Sequence, residues 1–442
     1  MVKKTRRLAL FFFILFLFLI AACSNDADNS TEPPDSSETD DEQEVAAPPA
    51  EPVTIKIAIP LGEDYFQGRF GPIEEKLEHI ELEQVPYGGT SESLQELFAN
   101  GENPDIIISD IAPMQELGVI EPLEELIEKH DFDLDSINPG LISFIRSLDS
   151  EGRMIGIPDG RSFLGLYYNK DVFDLFGVPY PDPEKPMTWQ ELIDLTRKLT
   201  GERDGTNYIG LDGGPATWPL QAFAVNATDP ETGDVLITEN PVFREYFGLM
   251  DQYYSIPGVH DPDQEGSPFA ERTAAMALRT NNFFLWGFGG AEPHEVESID
   301  IAPVPVWEEQ PTIGPYLHAW PMVIANYSEH KDEAFQVLME YASPEIQTEM
   351  AKTMTQQTIL SDPAVLEQYG AEVDYYEGKN LSAYFALDAA LFKEQQSKWN
   401  GYVDLGAALT RLAEEGIDVN TLLQQVKEES EVKIQEAMLQ EH

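Results

Sequence analysis

A single cysteine, Cys23, occurs among the 442 residues, and it stands at the end of an apolar run. No other feature constrains the fold more. Without a second cysteine there is no intramolecular disulfide, no cysteine zinc cluster and no thiol chemistry in the folded part. The residues before it indicate the route the chain takes. Lys3, Lys4, Arg6 and Arg7 form a basic leader, and Leu8 to Ala22 is unbroken apolar sequence. A spanning helix needs about 20 apolar residues, so this stretch is short for that purpose and suits the hydrophobic centre of a secretion signal. An exported chain without disulfides must be held by core burial alone. The part after residue 52, about 390 residues, is ample for that and too long for one core, so two lobes are expected.

The run closes in Ile20-Ala21-Ala22-Cys23. This resembles the lipobox of bacterial lipoproteins, which implies cleavage after residue 22, acylation of Cys23 and extracytoplasmic anchoring to the cell membrane. Two acyl chains suffice for stable anchoring where one is marginal. Residues 1–22 are therefore read as the signal peptide, and residues 23–52 as the lipidated cysteine with its tether. The tether holds ten acidic residues and no Lys or Arg among Ser, Thr, Pro and Ala, a composition that cannot bury apolar surface and is expected to be disordered.

Charge excludes several partners. The chain has 27 basic and 80 acidic residues, net −53, and the part after residue 52 keeps 70 acidic against 23 basic, net −47. A surface of that sign repels nucleic acid and anionic lipid head groups, leaving the lipid as the only expected membrane contact. A dense carboxylate surface suits a saline or alkaline exterior.

Alternating patterns then organise the chain. Val53, Ile55, Ile57 and Ile59 alternate with Thr54, Lys56 and Ala58, a strand that Pro60 stops. A short helix is expected around Gly71 to Glu78, an alternating strand over Ile80 to Val85, and a helix over Ser91 to Ala99. Ile106–Ile108 reads as a strand covered on both faces. The pattern restarts after Arg153, with a strand at Leu164–Tyr168 and a helix at Asp171–Phe176. A capping box, Thr188 with Glu191, opens the helix Trp189–Leu199. Further helices are expected at Pro241–Tyr254, Lys331–Tyr341, Ser343–Met354, Leu381–Lys398 and about Val419–Met438. Further strands are expected at Ala274–Leu278, Ile299–Val306 and Trp320–Ala325. No internal repeat is visible.

Several segments in this order resemble the extracellular solute-binding proteins of bacterial ABC importers, in their carbohydrate-type branch. They are Asn103-Pro104-Asp105-Ile106-Ile107-Ile108, Gly118-Val119-Ile120-Glu121-Pro122-Leu123, and Gly156-Ile157-Pro158-Asp159-Gly160 leading to Tyr168-Asn169-Lys170-Asp171. Phe176-Gly177-Val178-Pro179, Thr188-Trp189-Gln190-Glu191-Leu192, Ala274-Ala275-Met276 and Ser343-Pro344-Glu345-Ile346-Gln347 follow. The resemblance implies an α/β, two-lobed binding-protein fold, each lobe a mostly parallel sheet flanked by helices and joined by hinge crossings. The N-lobe would hold 53–160 plus 308–357, and the C-lobe 161–307 plus 358–442. It also implies a monomer that hands a small solute, a sugar or oligosaccharide, to ABC permease subunits.

A sugar cleft needs flat aromatic platforms and paired polar groups, and these converge at the carboxyl ends of parallel strands. Asp64 and Tyr65 follow the first strand, and Asp110 follows Ile106–Ser109. Asp159 and Arg161 sit in Pro158–Gly165, a Pro- and Gly-bearing hinge candidate. Trp286 and Phe288, in Phe283–Gly290, follow the Ala274 strand, and the neighbouring glycines allow close backbone approach. Trp218 opens a helix, Trp320 lies by a crossing, and Trp399 ends an expected helix. Trp189 is read as structural. No metal or cofactor is expected. Asp261-Pro262-Asp263 imitates an EF-hand start, but the twelfth position is Arg272 where a glutamate is required. No His-Glu-x-x-His, nucleophile elbow, P-loop or dinucleotide fingerprint occurs. Abundant carboxylates leave a secreted carbohydrate-active enzyme open as an alternative. A sensor lipoprotein presenting ligand to a receptor is another.

Overall fold

A computed structural model describes residues 52–160, 162–289, 291–354 and 357–440; the signal stretch, Cys23, the tether and Arg161 lie outside the described residues. Along the chain run β1 (Val53–Ile59), β2 (Ile80–Pro86), β3 (Ile106–Ile108) and β4 (Ile157–Pro158). Then come β5 (Leu164–Asn169), β6 (Gly201–Arg203), β7 (Thr206–Asp212), β8 (Ala274–Thr280) and β9 (Ile299–Ala302). The last three are β10 (Ile313–Gly314), β11 (Pro321–Ile324) and β12 (Asp388–Ala389).

They form two five-stranded sheets, ordered β2-β1-β3-β11-β4 and β6-β7-β8-β5-β9, plus the small pair β10-β12. In the first sheet β1 pairs in parallel with β2 and β3. In the second, β7 and β8 are parallel. Each sheet also takes in one strand running against its neighbours. β11, returning from the second sheet, lies antiparallel between β3 and β4. β5, arriving from the first, lies antiparallel between β8 and β9. The second sheet is the more mixed of the two, because β6 also folds back on β7 as a hairpin, so two of its five strands, β5 and β6, run against the other three.

Alternation along the strands divides the core. Ile55, Ile57 and Ile59 face one apolar cluster while Ala58 joins Val85, Ile107 and Val323 on the opposite face. In β5, Leu166 and Tyr168 face the cluster built on helices Trp189–Leu199 and Pro241–Tyr254, and Tyr167 faces the other way. The period-2 rule of a pleated strand accounts for both cases. The Thr188 capping box forms as the sequence predicts.

Three elements differ from expectation. The first helix spans Glu63–Glu74 and not 71–78. Its buried residues Phe66, Phe70 and Ile73 recur at helical spacing, and this packing overrides the low propensity of Gly68 and Gly71. The expected strand Ile299–Val306 ends at Ala302, since Pro303 and Pro305 have no N–H to offer a ladder. The expected helix Leu381–Lys398 is a 3-10 turn, Leu381–Phe385, followed by β12 and irregular chain. Here tertiary partners win: Tyr384 is buried with its hydroxyl on Tyr167, and β12 pairs with β10. Phe392 N donates to Ser143 Oγ at 2.9 Å.

Candidate ligand-binding cleft

The carboxyl end of β1 runs through Leu61 and Gly62 into the helix Glu63–Glu74, placing Asp64 and Tyr65 in its first turn. The carboxyl end of β8 runs through Asn281 and Asn282 into the short helix Phe283–Trp286. The two helix starts belong to different lobes, and together they line a cavity of about 410 Å³. Its wall holds Asp64 and Tyr65 from the first lobe and Asn282, Leu285 and Trp286 from the second, with Ser162 from the crossing. Met354 and Gln357 complete it.

Two large rings here are exposed: Trp286 by 69% and Tyr65 by 47%. A Trp side chain left that open, beside polar side chains in a concave site, has the character of a ligand platform. Close to it in the chain, Phe288 is packed among other rings. Phe288 stacks edge-on against Phe283 at 4.9 Å between ring centres and lies 6.0 Å from Phe284, and the Arg272 guanidinium covers its outer face at 4.5 Å. Phe288 is half-buried among these rings and is not among the residues lining the cavity, which differs from the sequence reading.

A second, larger cavity of about 960 Å³ also touches Ser162 and includes Trp218, Tyr316, Phe385 and Phe392. Several of its rings lie against one another, as Tyr316 does with Phe392 at 4.9 Å. Trp218 is half-buried there, apart from Tyr65 and Trp286. The smaller cavity differs from the larger in having two exposed rings, Tyr65 and Trp286, in its wall. Carboxylate, amide and hydroxyl groups line both cavities, Asp64, Asn282, Gln357 and Ser162 in the smaller and Asp388, Asn138, Gln310 and Ser162 in the larger.

The remaining predicted residues lie elsewhere. Asp159 is 7% exposed and ties the crossing between β4 and β5 to neighbouring elements. Its Oδ2 accepts from Arg69 Nη1 at 3.3 Å and its Oδ1 from Trp320 N at 2.9 Å. Its own N–H donates to Trp320 O at 2.9 Å, and the Tyr341 hydroxyl donates to its carbonyl. Burial pushes the Asp159 carboxyl up against the pull of Arg69. Trp320 is half-buried and packs on the first core, with its backbone hydrogen-bonded to Asp159. Asp110 is exposed, 3.9 Å from His318, and is not among the residues lining either cavity. Trp399 is 5% exposed, packed in the second-lobe core beside Gly233. It is a core residue, against the expectation. Arg161 and Cys23 lie outside the described residues.

The sequence reading missed Ser162, Asn282, Leu285, Met354 and Gln357. Asn282 and Leu285 carried a usable signal, since they precede Trp286 after the same strand. Met354, a helix end with φ of 56°, and Gln357 carried none, because only the fold brings them beside Tyr65. Among the described residues no group of three or more His, Cys, Asp or Glu is arranged to hold a metal ion, and no helix is long and apolar enough to cross a membrane.

Comparison with known proteins agrees with this architecture. The sn-glycerol-3-phosphate-binding periplasmic protein UgpB of Rhizobium meliloti is 31% identical over 103 residues, a stretch that is 23% of this chain and 23% of that protein. Among solved structures, the sugar-binding protein MalE of Xanthomonas citri superposes with a TM-score of 0.69 at 17% identity, covering 88% of this chain and all of that one. A sugar transporter of Rhizobium etli in an open conformation gives 0.66 at 19% identity, covering 86% and 99%. These likenesses establish the two-lobed fold. The profile of bacterial extracellular solute-binding proteins matches residues 63–348, more than half of the 442. The chain belongs to the family of bacterial extracellular solute-binding proteins.

Proposed function

We propose that this chain is a non-catalytic capture subunit that binds a carbohydrate outside the cytoplasm and presents it to the permease of an ABC importer. A lipid on Cys23 would hold it at the membrane. One observation carries the ligand class: two exposed rings from different lobes, Tyr65 and Trp286, line one cavity with Asp64, Ser162, Asn282 and Gln357. The apolar face of a sugar ring packs on such platforms while its hydroxyls bond the surrounding amide, hydroxyl and carboxylate groups. A ligand held by both lobes favours the closed state by its differential contacts, which is how binding drives hinge closure. The sugar-binding names of the solved neighbours support the same reading.

Thermal unfolding of the full chain in detergent, against a panel of sugars, amino acids and polyamines, tests it. A sugar at 100 times its Kd should add about 2.7 kcal/mol of stability. Trp286→Ala should weaken that sugar by about 2 kcal/mol, roughly thirtyfold, and Cys23→Ser should free the protein from the membrane fraction. A stabilising polyamine or amino acid with no effect of any sugar would end the carbohydrate reading.

A further inference from the structure

We infer that this cleft selects an uncharged saccharide and rejects phosphorylated ones, and that Asp64 with Glu63 is the discriminating feature. This rests on the carbohydrate reading above and specifies the charge of the ligand that the same site takes.

Charge along the cavity wall is one-sided. Among its described residues there is one carboxylate, Asp64, and no Lys, Arg or His. Two arginines on the elements next to the cavity do not line it and are paired with carboxylates. Arg69 is paired with Asp159 at 3.3 Å and Arg279 with Asp212 at 2.9 Å. Asp212 also accepts from Ser267 Oγ at 2.6 Å, which fixes the carboxylate on its arginine.

Asp64 occupies a telling position. A helix start facing a cleft is a ready site for an anion, because its first N–H groups and its dipole both favour negative charge. In the helix Glu63–Glu74 the first turn itself carries Glu63 and Asp64, and Gly62 at its cap provides no side chain. The protein's own carboxylates therefore share the first turn with the N–H groups that a phosphate would need, and Asp64 lines the cavity. A second anion would meet like charge within a cavity of about 410 Å³ and against a chain of net charge −53. Hydroxyl groups meet the opposite reception, since an ionised carboxylate accepts O–H donors in short, strong bonds.

Calorimetric titration of the full chain in detergent separates the outcomes. The probes are maltose and glucose as neutral ligands, with sn-glycerol 3-phosphate and glucose 6-phosphate as charged ones. A neutral sugar should bind at least tenfold tighter than either phosphate ester at low salt, with the gap narrowing in 1 M NaCl. Asp64→Lys should gain tenfold or more for a phosphate ester, and Glu63→Gln a smaller gain. Wild-type protein that binds a phosphate ester as tightly as a neutral sugar overturns the inference and leaves the carbohydrate reading standing. If Arg161→Ala then abolishes that binding, Arg161 supplied the missing cation. Phosphate rejection that persists unchanged in Asp64→Lys also overturns it, because the cause is then steric. Binding of neither class removes the carbohydrate reading, and the inference falls with it.

Discussion

Gly210 shows how one missing methyl group permits a packing contact. It lies in β7 where that strand meets the helix Trp189–Leu199, and a Cβ there would stand 2.2 Å from Thr196 O and 2.5 Å from Thr196 Cα. Backbone atoms cannot rotate aside, so the helix would have to move. The approach is also tied by hydrogen bonds, since Gly210 N donates to Thr200 Oγ1 at 2.9 Å and Thr200 Oγ1 donates to Thr196 O at 2.8 Å. Gly210→Ala should cost about 1–3 kcal/mol through overpacking, whereas Gly62→Ala, with nothing within 4 Å of the new atom, should stay within about 0.5 kcal/mol. Urea midpoints at unchanged m-value would show this, and equal midpoints for the two variants would refute it. The contrast is invisible in the sequence, where both are glycines beside ordinary neighbours. Cavity-lining residues were legible where one strand end placed them. Asp64 and Tyr65 follow an alternating strand and Trp286 a short apolar one, both expected from the sequence, and the three line one cavity. Asp159 and Trp399 were misread because their partners are remote in sequence: Arg69 is 90 residues from Asp159, and Trp399 packs near Gly233.

Elements were legible when their own pattern decided them and illegible when a distant segment did. β1 and the helices Pro241–Tyr254 and Lys331–Tyr341 end where the sequence says: Pro60 follows β1, Asn240 and Pro241 open the first helix, and apolar spacing marks the second. The stretch after Leu381 failed that test, because its helical pattern competes with Ser143 and Ser147 on another helix. Gln396 N donates to Ser147 O at 2.7 Å, and Gln396 Nε2 to Ser147 Oγ at 2.8 Å. Ties between elements are testable at Asp332, in the first turn of Lys331–Tyr341. Its carboxylate accepts from Lys129 Nζ at 2.7 Å and lies 2.9 Å from His130 Nε2. The Lys129 bond, then the His130 contact, hold its carboxyl below the usual range. A depressed folded-state value means the contribution is present above the unfolded carboxylate value of about 3.9 and is lost as pH falls through the folded one. The side chain is 42% exposed, so the contribution is about 0.2–1 kcal/mol and weaker in salt. Asp332→Asn should lower the denaturation midpoint at neutral pH, and the gap to the parent should close in acid. A gap that persists in strong acid would assign the loss to something other than these charges.

For the whole molecule, net charge is the unresolved force. With 80 carboxylates and 27 Lys and Arg, most acidic groups have no cation to meet. The available cations are shared: Lys56 lies near Glu83 and Glu102, Lys76 near Glu340 and Glu345, and Lys427 near Glu239 and Glu431. Two opposing effects of salt follow. Screening weakens these pairs, each worth about 0–1 kcal/mol at the surface. It also weakens repulsion among the excess carboxylates, which acts over many pairs and over longer distances, where screening is strongest. The Debye length falls from about 30 Å at 0.01 M to about 3 Å at 1 M, so long-range repulsion is removed first. Repulsion should therefore dominate, and the melting midpoint should rise steadily from 0.01 to 1 M NaCl. Sucrose at matched osmolality separates charge screening from general exclusion effects, since it stabilises without screening. A midpoint that is highest at low salt would mean that the few shared cations outweigh the excess, and the acidic surface would then have no link to a saline exterior. A neutral ligand adds a last distinction. Its affinity should change little over the same salt range, because the forces that hold it are ring packing and short hydrogen bonds, while the protein around it grows more stable.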